Sequence, residues 1–333
     1  MSYIKKLHND IRAYKRSRVI TTAIHLGILS NLGKAGCAMS ISELQGRLSL
    51  SQEWLRGILN VLVQDGLVAK SGDQYQLTDL GIEADNDFIL NALAGYHFYC
   101  FESWDFLPEA LKSGKGGDFH RKRMFDNEFR KAYLILMDHI AQSQMTFLEA
   151  ECKSILTGEV LDIGAGPSSL CRHLLVLNEN LKVTALDFPE MVSTASELFK
   201  VPDKYEWVAQ DFFHWKPVHF FDAIYCGHLI EYCPQFELKS WIKILRSFLG
   251  ASGSMVLVSY LREENIASIE DLNLFELSTG LNGACLGYLP TKQELMDVLA
   301  DVGFQVIEIK LMPSGPFYME HLITCHINKG KEC

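Results

Sequence analysis

A glycine-containing turn after a short apolar run is the first feature of this sequence that could do chemistry. The run VLDIGAGPSSL places Asp162 in a predicted strand, and Gly164, Ala165 and Gly166 at the turn into a predicted helix. Glycines at such a turn reach positive φ angles and let the backbone lie close to a ligand. The turn alone fits either a dinucleotide pyrophosphate or another nucleoside-bearing ligand.

Two further carboxylates discriminate between these ligands. Asp187 ends the second predicted strand in ALDF, about twenty residues beyond the glycines, where a carboxylate can hold the two hydroxyls of a ribose. Asp211 and Phe212 follow the third predicted strand in AQDFF and can offer a carboxylate to an exocyclic amine and a ring to an adenine. Three acidic strand ends in succession favour a ligand with a positive charge and an amine over a pyrophosphate.

The elements that must position these residues alternate between strand and helix from Gly158 onward. This alternation predicts a doubly wound α/β fold, with a mostly parallel, Rossmann-like sheet covered by helices on both faces. The last two predicted strands, QVIEIKLM and HLITCHI, are separated by PSGPFYME and are expected to form an antiparallel end to the sheet.

The N-terminal part follows a different pattern. Apolar residues recur at helical spacing from Ile4 to about Leu29, which predicts one amphipathic helix. Ser40 and Glu43 are spaced as a capping box, and Ser51 can cap the next helix. LVAKSGDQYQLT then predicts a hairpin, so the region is expected to be a winged helix. Its candidate recognition helix contains one basic residue, which favours a structural or dimerising role over DNA binding.

Composition narrows the function classes. The net charge is −10, and no stretch rich in Lys and Arg follows the first eighteen residues, so nucleic acid is not an expected partner. We see no apolar run of the roughly 18 residues that a membrane span needs, and no signal peptide, so the expected location is cytoplasmic. The nine cysteines include no CxxC pair, and no metal site is predicted.

Residues 89–155 are rich in helix formers and in Tyr, Phe, Trp and Met. Any one of these side chains belongs to a core more often than to a ligand site. Their concentration just ahead of the sheet is nevertheless what a lid over a flat apolar substrate needs. The predicted substrate-pocket residues are Phe101, Trp104, Phe125 and Met137.

Taken together, these motifs resemble the small-molecule O-methyltransferases, in which a class I methyltransferase domain follows a winged-helix dimerisation domain. The likeness runs from about residue 21 to residue 324, with VLDIGAGPSSL, ALDFPEMV and AQDFF in the family order. It implies a homodimer and the cofactor S-adenosylmethionine. It also implies a dimerisation domain at 1–88 and a methyltransferase domain at 89–333, made of a helical linker (89–155) and a Rossmann-like core (156–333).

The resemblance assigns the cofactor-binding residues from the methionine end to the adenine. They are Asp162, Gly164, Ala165, Gly166, Asp187, Phe188, Asp211 and Phe212.

The catalytic position departs from the family pattern. The family has a His-Asp-Trp triplet after the fourth strand, and its His is the general base. Aligned from Asp222, DAIYCGHLIEYCPQFE has Glu231 at that position, His228 three residues earlier on a predicted helix, and Ser259 where the family has a supporting acidic residue. His228 suits a phenol, which benefits from a base near neutral pH. A carboxylate at Glu231 could instead orient a donor, deprotonate an activated ring position, or hold a cationic or amine-bearing substrate.

These residues predict transfer of a methyl group to carbon, nitrogen or oxygen of a small aromatic or polyketide-like metabolite, with Glu231 and His228 facing the acceptor. In an alternative, Glu231 caps or solvates the helix start and His228 packs against the sheet. A second alternative keeps the cofactor but catalyses decarboxylation, hydroxylation or pericyclic ring formation. A third, a DNA-binding ligand sensor, lacks the basic recognition surface it needs.

Overall fold

The computed structural model describes residues 3–262, 269–283, 288–313 and 320–328. The chain forms two compact units, residues 1–101 and 102–333. The division falls inside the helix Phe88–Asp105, whereas the domain boundary predicted from the sequence falls at the start of that helix.

The first unit is mainly helical. Its elements are α1 (Tyr3–His25), α2 (Ile28–Ala35), β1 (Met39–Ser40), α3 (Ile41–Leu48), α4 (Gln52–Gln64), β2 (Val68–Ser71), β3 (Gln74–Leu77), α5 (Asp79–Asn86) and most of α6 (Phe88–Asp105). The strands form an antiparallel sheet in the order β1-β3-β2, so the predicted helices and hairpin are present. The strand β1, too short to show a period, was not predicted.

Three details of this unit test the sequence analysis. The single helix predicted from Ile4 to Leu29 is wrong, because Gly27 adopts a left-handed φ of 71° and separates α1 from α2. The capping box of Ser40 and Glu43 is confirmed. Ser51 is the N-cap residue of α4, but its side chain makes no capping hydrogen bond.

The second unit alternates strands and helices. Its helices are α7 (Leu107–Ser113), α8 (Phe119–Arg123), α9 (Asn127–Ser143), α10 (Met145–Cys152), α11 (Ser169–Leu177), α12 (Pro189–Leu198), α13 (Leu238–Ser247), α14 (Ile269–Asn282) and α15 (Lys292–Asp301). Its strands are β4 (Glu159–Ile163), β5 (Lys182–Asp187), β6 (Tyr205–Ala209), β7 (Phe221–Gly227), β8 (Leu249–Ser259), β9 (Phe304–Leu311) and β10 (His321–Ile327).

These strands form one sheet in the order β6-β5-β4-β7-β8-β10-β9. The strands β4 to β8 pair in parallel, while β10 is antiparallel to both β8 and β9. The predicted parallel sheet with an antiparallel end is therefore confirmed. Leu161 and Val160 of β4 belong to two different hydrophobic clusters, as expected of a strand buried on both faces.

Candidate active site

The turn after β4 is shaped by two glycines. Gly164 and Gly166 have φ angles of 65° and 50°. The N–H groups of Gly164 and Ala165 donate to the carbonyl of Leu186, at 3.0 and 3.2 Å. A Cβ on Gly164 would lie 3.2 Å from Cδ1 of Leu229, whereas the nearest atom to a Cβ on Gly166 is 4.0 Å away. The turn is packed on the Gly164 side and open beside Gly166.

Asp162 lies inside β4 and is buried, with 1% of its surface exposed. Its Oδ2 accepts a hydrogen bond from the hydroxyl of Ser168, the N-cap residue of α11. Burial raises the pKa of Asp162 to about 7, although hydrogen bonds from Ser168 and Cys171 oppose the shift. In this structure the carboxylate stabilises the turn through its hydrogen bond with Ser168.

Asp187 ends β5 and faces the turn. Its Oδ2 accepts a hydrogen bond from the N–H of Gly166 at 2.7 Å, and its Oδ1 accepts one from the N–H of Phe188 at 2.7 Å. Burial raises the pKa of Asp187 to about 6 despite these two bonds. The ring of Phe188 is half exposed beside the carboxylate.

Asp211 and Phe212 follow β6. Asp211 accepts hydrogen bonds from the N–H of Phe213 at 3.0 Å and from Nδ1 of His214 at 3.2 Å. The ring of Phe212 is buried, with its centroid 4.0 Å from that of Phe213 and 5.4 Å from that of Trp241. Phe213, which the sequence analysis did not select, keeps part of its ring exposed.

These features fit a nucleoside-bearing ligand. The strands β4, β5 and β6 are neighbours, so their carboxyl ends lie at one edge of the sheet, where ligands of open α/β sheets bind. The open space beside Gly166, the carboxylate of Asp187 and the exposed ring of Phe188 meet at this edge.

The segment after β7 contains His228 and Glu231. The α-helix predicted for it is wrong: His228 has a φ of 53°, and Ile230–Tyr232 forms a single 3-10 turn. Pro234 explains why the turn ends at Tyr232, because a proline disfavours the helical conformation of the residue before it, here Cys233. The two side chains nevertheless meet, with Nδ1 of His228 3.1 Å from Oε1 of Glu231.

Glu231 is fully buried, so it does not act as a solvated residue at a helix start. Its Oε1 also accepts a hydrogen bond from the N–H of Tyr260 at 3.2 Å. Its Oε2 is buried without a hydrogen-bond partner in the described part of the chain. A buried carboxylate oxygen without a donor is unfavourable, and such an atom in a protein calls for a ligand or water.

Glu320 is a site residue that the sequence analysis missed. Its Oε1 lies 3.7 Å from Nε2 of His228 and accepts a hydrogen bond from the Tyr260 hydroxyl at 3.2 Å, and its Oε2 accepts one from Nε2 of Gln144 at 2.5 Å. The next residue, His321, pairs with Ser259 of β8. The carboxylate expected at position 259 is thus supplied by the residue just before β10, the strand next to β8, a relation that appears once the strand pairing is known.

These two carboxylates set the charge of His228. Burial on its own lowers the pKa of His228, but the hydrogen bond and charge of Glu231, together with the charge of Glu320, outweigh it and raise the pKa to about 9. His228 is therefore an imidazolium at neutral pH. In that state it has no lone pair with which to accept a proton.

Aromatic rings line the same region. The ring centroid of His120 is 5.3 Å from that of Tyr133 and 5.8 Å from that of Tyr232. Burial lowers the pKa of His120 to about 4, so this imidazole is neutral. Burial also raises the pKa of Tyr133, and the nearby Tyr232, Asp187 and Glu231 raise it further. Tyr133 therefore lies within electrostatic range of both Asp187 and Glu231.

The four predicted pocket residues have different surroundings. Phe101 belongs to the first unit, where its ring centroid is 5.6 Å from that of Tyr14. Trp104 and Met137 are half-buried, and Phe125 is 71% exposed. Their role in a pocket stays a prediction.

Two further features concern a membrane span and a metal site. No helix among the described residues is both long and apolar enough to cross a bilayer. Within the same residues, no group of three or more His, Cys, Asp or Glu side chains is arranged to hold a metal ion.

Comparison with known proteins gives matches for both units. The family model of an O-methyltransferase dimerisation domain matches residues 10–82. A model of a methyltransferase domain matches residues 160–253.

Individual relatives and solved structures show the same likeness to methyltransferases. Cephaeline 6'-O-methyltransferase from Carapichea ipecacuanha is 27% identical over 188 residues, 51% of this chain and 54% of that enzyme, so the match spans about half the relative. The structure of mitomycin 7-O-methyltransferase has a TM-score of 0.82 at 17% identity and covers 97% of each chain. That of human N-acetylserotonin methyltransferase, in complex with SAM, has a TM-score of 0.77 at 16% identity and covers 98% of this chain and 99% of that one. The chain therefore contains a region that matches an O-methyltransferase dimerisation domain, followed by a region that matches a methyltransferase domain.

Proposed function

We propose that this protein transfers a methyl group from S-adenosylmethionine to carbon, nitrogen or oxygen of a small aromatic or polyketide-like metabolite. One observation carries the proposal: the turn held by Asp187 and the pair His228–Glu231 follow neighbouring strands of one sheet edge. Relatives named for methylating small molecules support it, among them norcoclaurine 6-O-methyltransferase from Coptis japonica.

The chain's residues divide the work between the two ligands. S-adenosylmethionine supplies an electrophilic methyl group on a sulfonium. The turn at Gly164 and Gly166, with Asp187, would bind its nucleoside and amino-acid parts. Through Oε2, Glu231 would accept a hydrogen bond from the small molecule that receives the methyl group. His228 and Glu320 would hold Glu231 in place. Proximity and orientation can lower the barrier by roughly 7–11 kcal/mol, so correct placement is the main requirement.

We also propose that the protein is a cytoplasmic homodimer that binds no nucleic acid. The dimerisation-domain match and an apolar stripe on α1 support the dimer. The stripe consists of Ile4, Leu7, Ile11 and Tyr14, four exposed residues that recur every three or four positions. Such a stripe on one helix face favours packing against another apolar surface.

The experiment is methyl transfer from deuterated S-adenosylmethionine to a panel of small phenols, aromatic amines and activated aromatic carbons, followed by mass spectrometry. We expect at least one acceptor to gain the label and to raise the formation of S-adenosylhomocysteine. Separate Glu231→Gln and His228→Ala variants test the site, and full activity in both would remove its role. If the protein binds the cofactor but no acceptor consumes it, the proposed reaction is wrong.

A further inference from the structure

The buried groups between β7 and β10 carry more negative than positive charge. Glu231 and Glu320 are 0% and 2% exposed, and His228 is the one cationic partner of either carboxylate among the described residues. The sum is −1 when His228 is protonated and −2 when it is neutral.

One atom of this cluster lacks a partner. Oε2 of Glu231 is buried without a hydrogen bond, while Oε1 of the same carboxylate accepts from Tyr260 and contacts His228. A ligand that occupies this place must offer a hydrogen-bond donor, and a positive charge on that donor would also balance the cluster.

The cluster lies next to the candidate cofactor site. Leu229, two residues before Glu231, is the nearest neighbour of a Cβ placed on Gly164. Tyr133 is within electrostatic range of both Asp187 and Glu231. A group held by Glu231 is therefore placed near the reactive end of a ligand bound at the glycine turn.

We propose that the methylated atom is the nitrogen of an aliphatic amine that carries an aromatic ring, which enters the site as an ammonium ion and donates to Oε2 of Glu231. This inference rests on the proposed function and names its acceptor class. The rings of Tyr133, Tyr232 and Tyr260 add faces that attract a cation.

A phenol fits the same cluster poorly. It must lose a proton to become a strong nucleophile, and the resulting anion would lie beside two carboxylates. The imidazole of His228 is held between Glu231 and Glu320.

Methyl transfer to an amine needs no reactant other than S-adenosylmethionine. The ammonium loses one N–H proton to Oε2 of Glu231, which becomes a neutral carboxyl group. The nitrogen lone pair then forms the N–CH3 bond while the S–CH3 bond breaks, and sulfur keeps the electron pair of that bond. S-adenosylhomocysteine leaves as a neutral thioether, and the methylated nitrogen carries the positive charge.

The test uses matched amines and alcohols with S-adenosylhomocysteine present: 2-phenylethylamine and 2-phenylethanol, tryptamine and tryptophol, tyramine and tyrosol. Binding is measured by calorimetry. We expect the amines to bind at least about tenfold more tightly than their alcohols. Glu231→Gln should remove that preference while leaving the affinity for S-adenosylhomocysteine within about twofold, and Glu128→Gln, an exposed residue of α9, is the control.

The transfer arm uses tyramine, which has both an amine and a phenol, with deuterated S-adenosylmethionine and tandem mass spectrometry. We expect the label on nitrogen. Label on the phenol oxygen, or no amine that binds better than its alcohol, would overturn the proposal. A protein that binds no S-adenosylhomocysteine would instead overturn the proposed function, so the two failures are distinguishable.

Discussion

Nδ1 of His228 lies 3.1 Å from Oε1 of Glu231, although no α-helix joins the two residues. The left-handed backbone of His228 and the 3-10 turn that follows bring the side chains together. Glu320, the residue before β10, approaches the opposite ring nitrogen. The protonation of His228 therefore depends on two carboxylates that are distant from each other in sequence.

We expect Glu231→Gln to lower the pKa of His228 from about 9 towards the ordinary value of 6.5. The substitution removes the charge that stabilises the imidazolium. Glu320→Gln should lower the pKa less, since Glu320 acts on His228 through its charge without a hydrogen bond. NMR titration of the imidazole nitrogens measures both values. An unchanged pKa in Glu231→Gln would show that another group holds the proton.

The same pair makes stability depend on pH. The pKa of His228 in the folded protein is raised to about 9 from 6.5, so its stabilising contribution is complete below pH 6.5 and is lost as the pH rises through 9. The advantage of the wild type over His228→Gln should therefore shrink by on the order of 1–3 kcal/mol across that window. Denaturant unfolding at several pH values measures it. His8→Gln, on the exposed surface of α1, is the control, and a parallel decline there would contradict the assignment.

Gly164→Ala should weaken binding of S-adenosylhomocysteine by about tenfold or more, because its φ of 65° is strained for alanine and the new Cβ would lie 3.2 Å from Leu229. Gly114→Ala is the matched control, with a φ of 70° and no atom within 4 Å of the new Cβ. Both variants should lose about 1 kcal/mol of stability or more. Calorimetry should find weaker binding in Gly164→Ala alone. Equal affinity for S-adenosylhomocysteine in both variants would show that the turn does not bind the cofactor.

Ile11→Lys should shift the protein from dimer to monomer, because it introduces a charge into the apolar stripe on α1. Ile11 is 75% exposed in the single chain, so the substitution should leave the folded chain itself intact. Asp10→Lys introduces the same side chain at the adjacent helical position. Light scattering after size-exclusion chromatography gives the mass of each. If Ile11→Lys remains a dimer, the apolar stripe on α1 is not the dimer interface.

Local signals in the sequence predicted much of the fold. Ser40 and Glu43 specify a helix start through their own hydrogen bonds, and the alternation after Gly158 specifies the parallel sheet. The break at Gly27 was missed because the apolar spacing continues across it. Glycine can adopt the left-handed conformation without interrupting that pattern.

The candidate site could be predicted in part. Gly164, Gly166 and Asp187 lie within short motifs at strand ends, so their meeting follows from the fold. Glu320 reaches His228 through the pairing of β10 with β8, which no local pattern encodes. Tyr133 and His120 are two of many aromatic residues between positions 89 and 155. Only the tertiary packing shows that these two lie near the site.

Calorimetric titration with S-adenosylhomocysteine tests the central claim most directly. We compare the wild type with Asp187→Asn and with Asp222→Asn, whose carboxylate accepts from the Glu159 N–H at 2.9 Å at the opposite edge of the sheet. The account predicts a dissociation constant in the ~micromolar range for the wild type, at least about tenfold weaker binding in Asp187→Asn, and little change in Asp222→Asn. A wild-type protein that does not bind S-adenosylhomocysteine, or an Asp187→Asn variant that binds it as tightly as the wild type, would contradict the account.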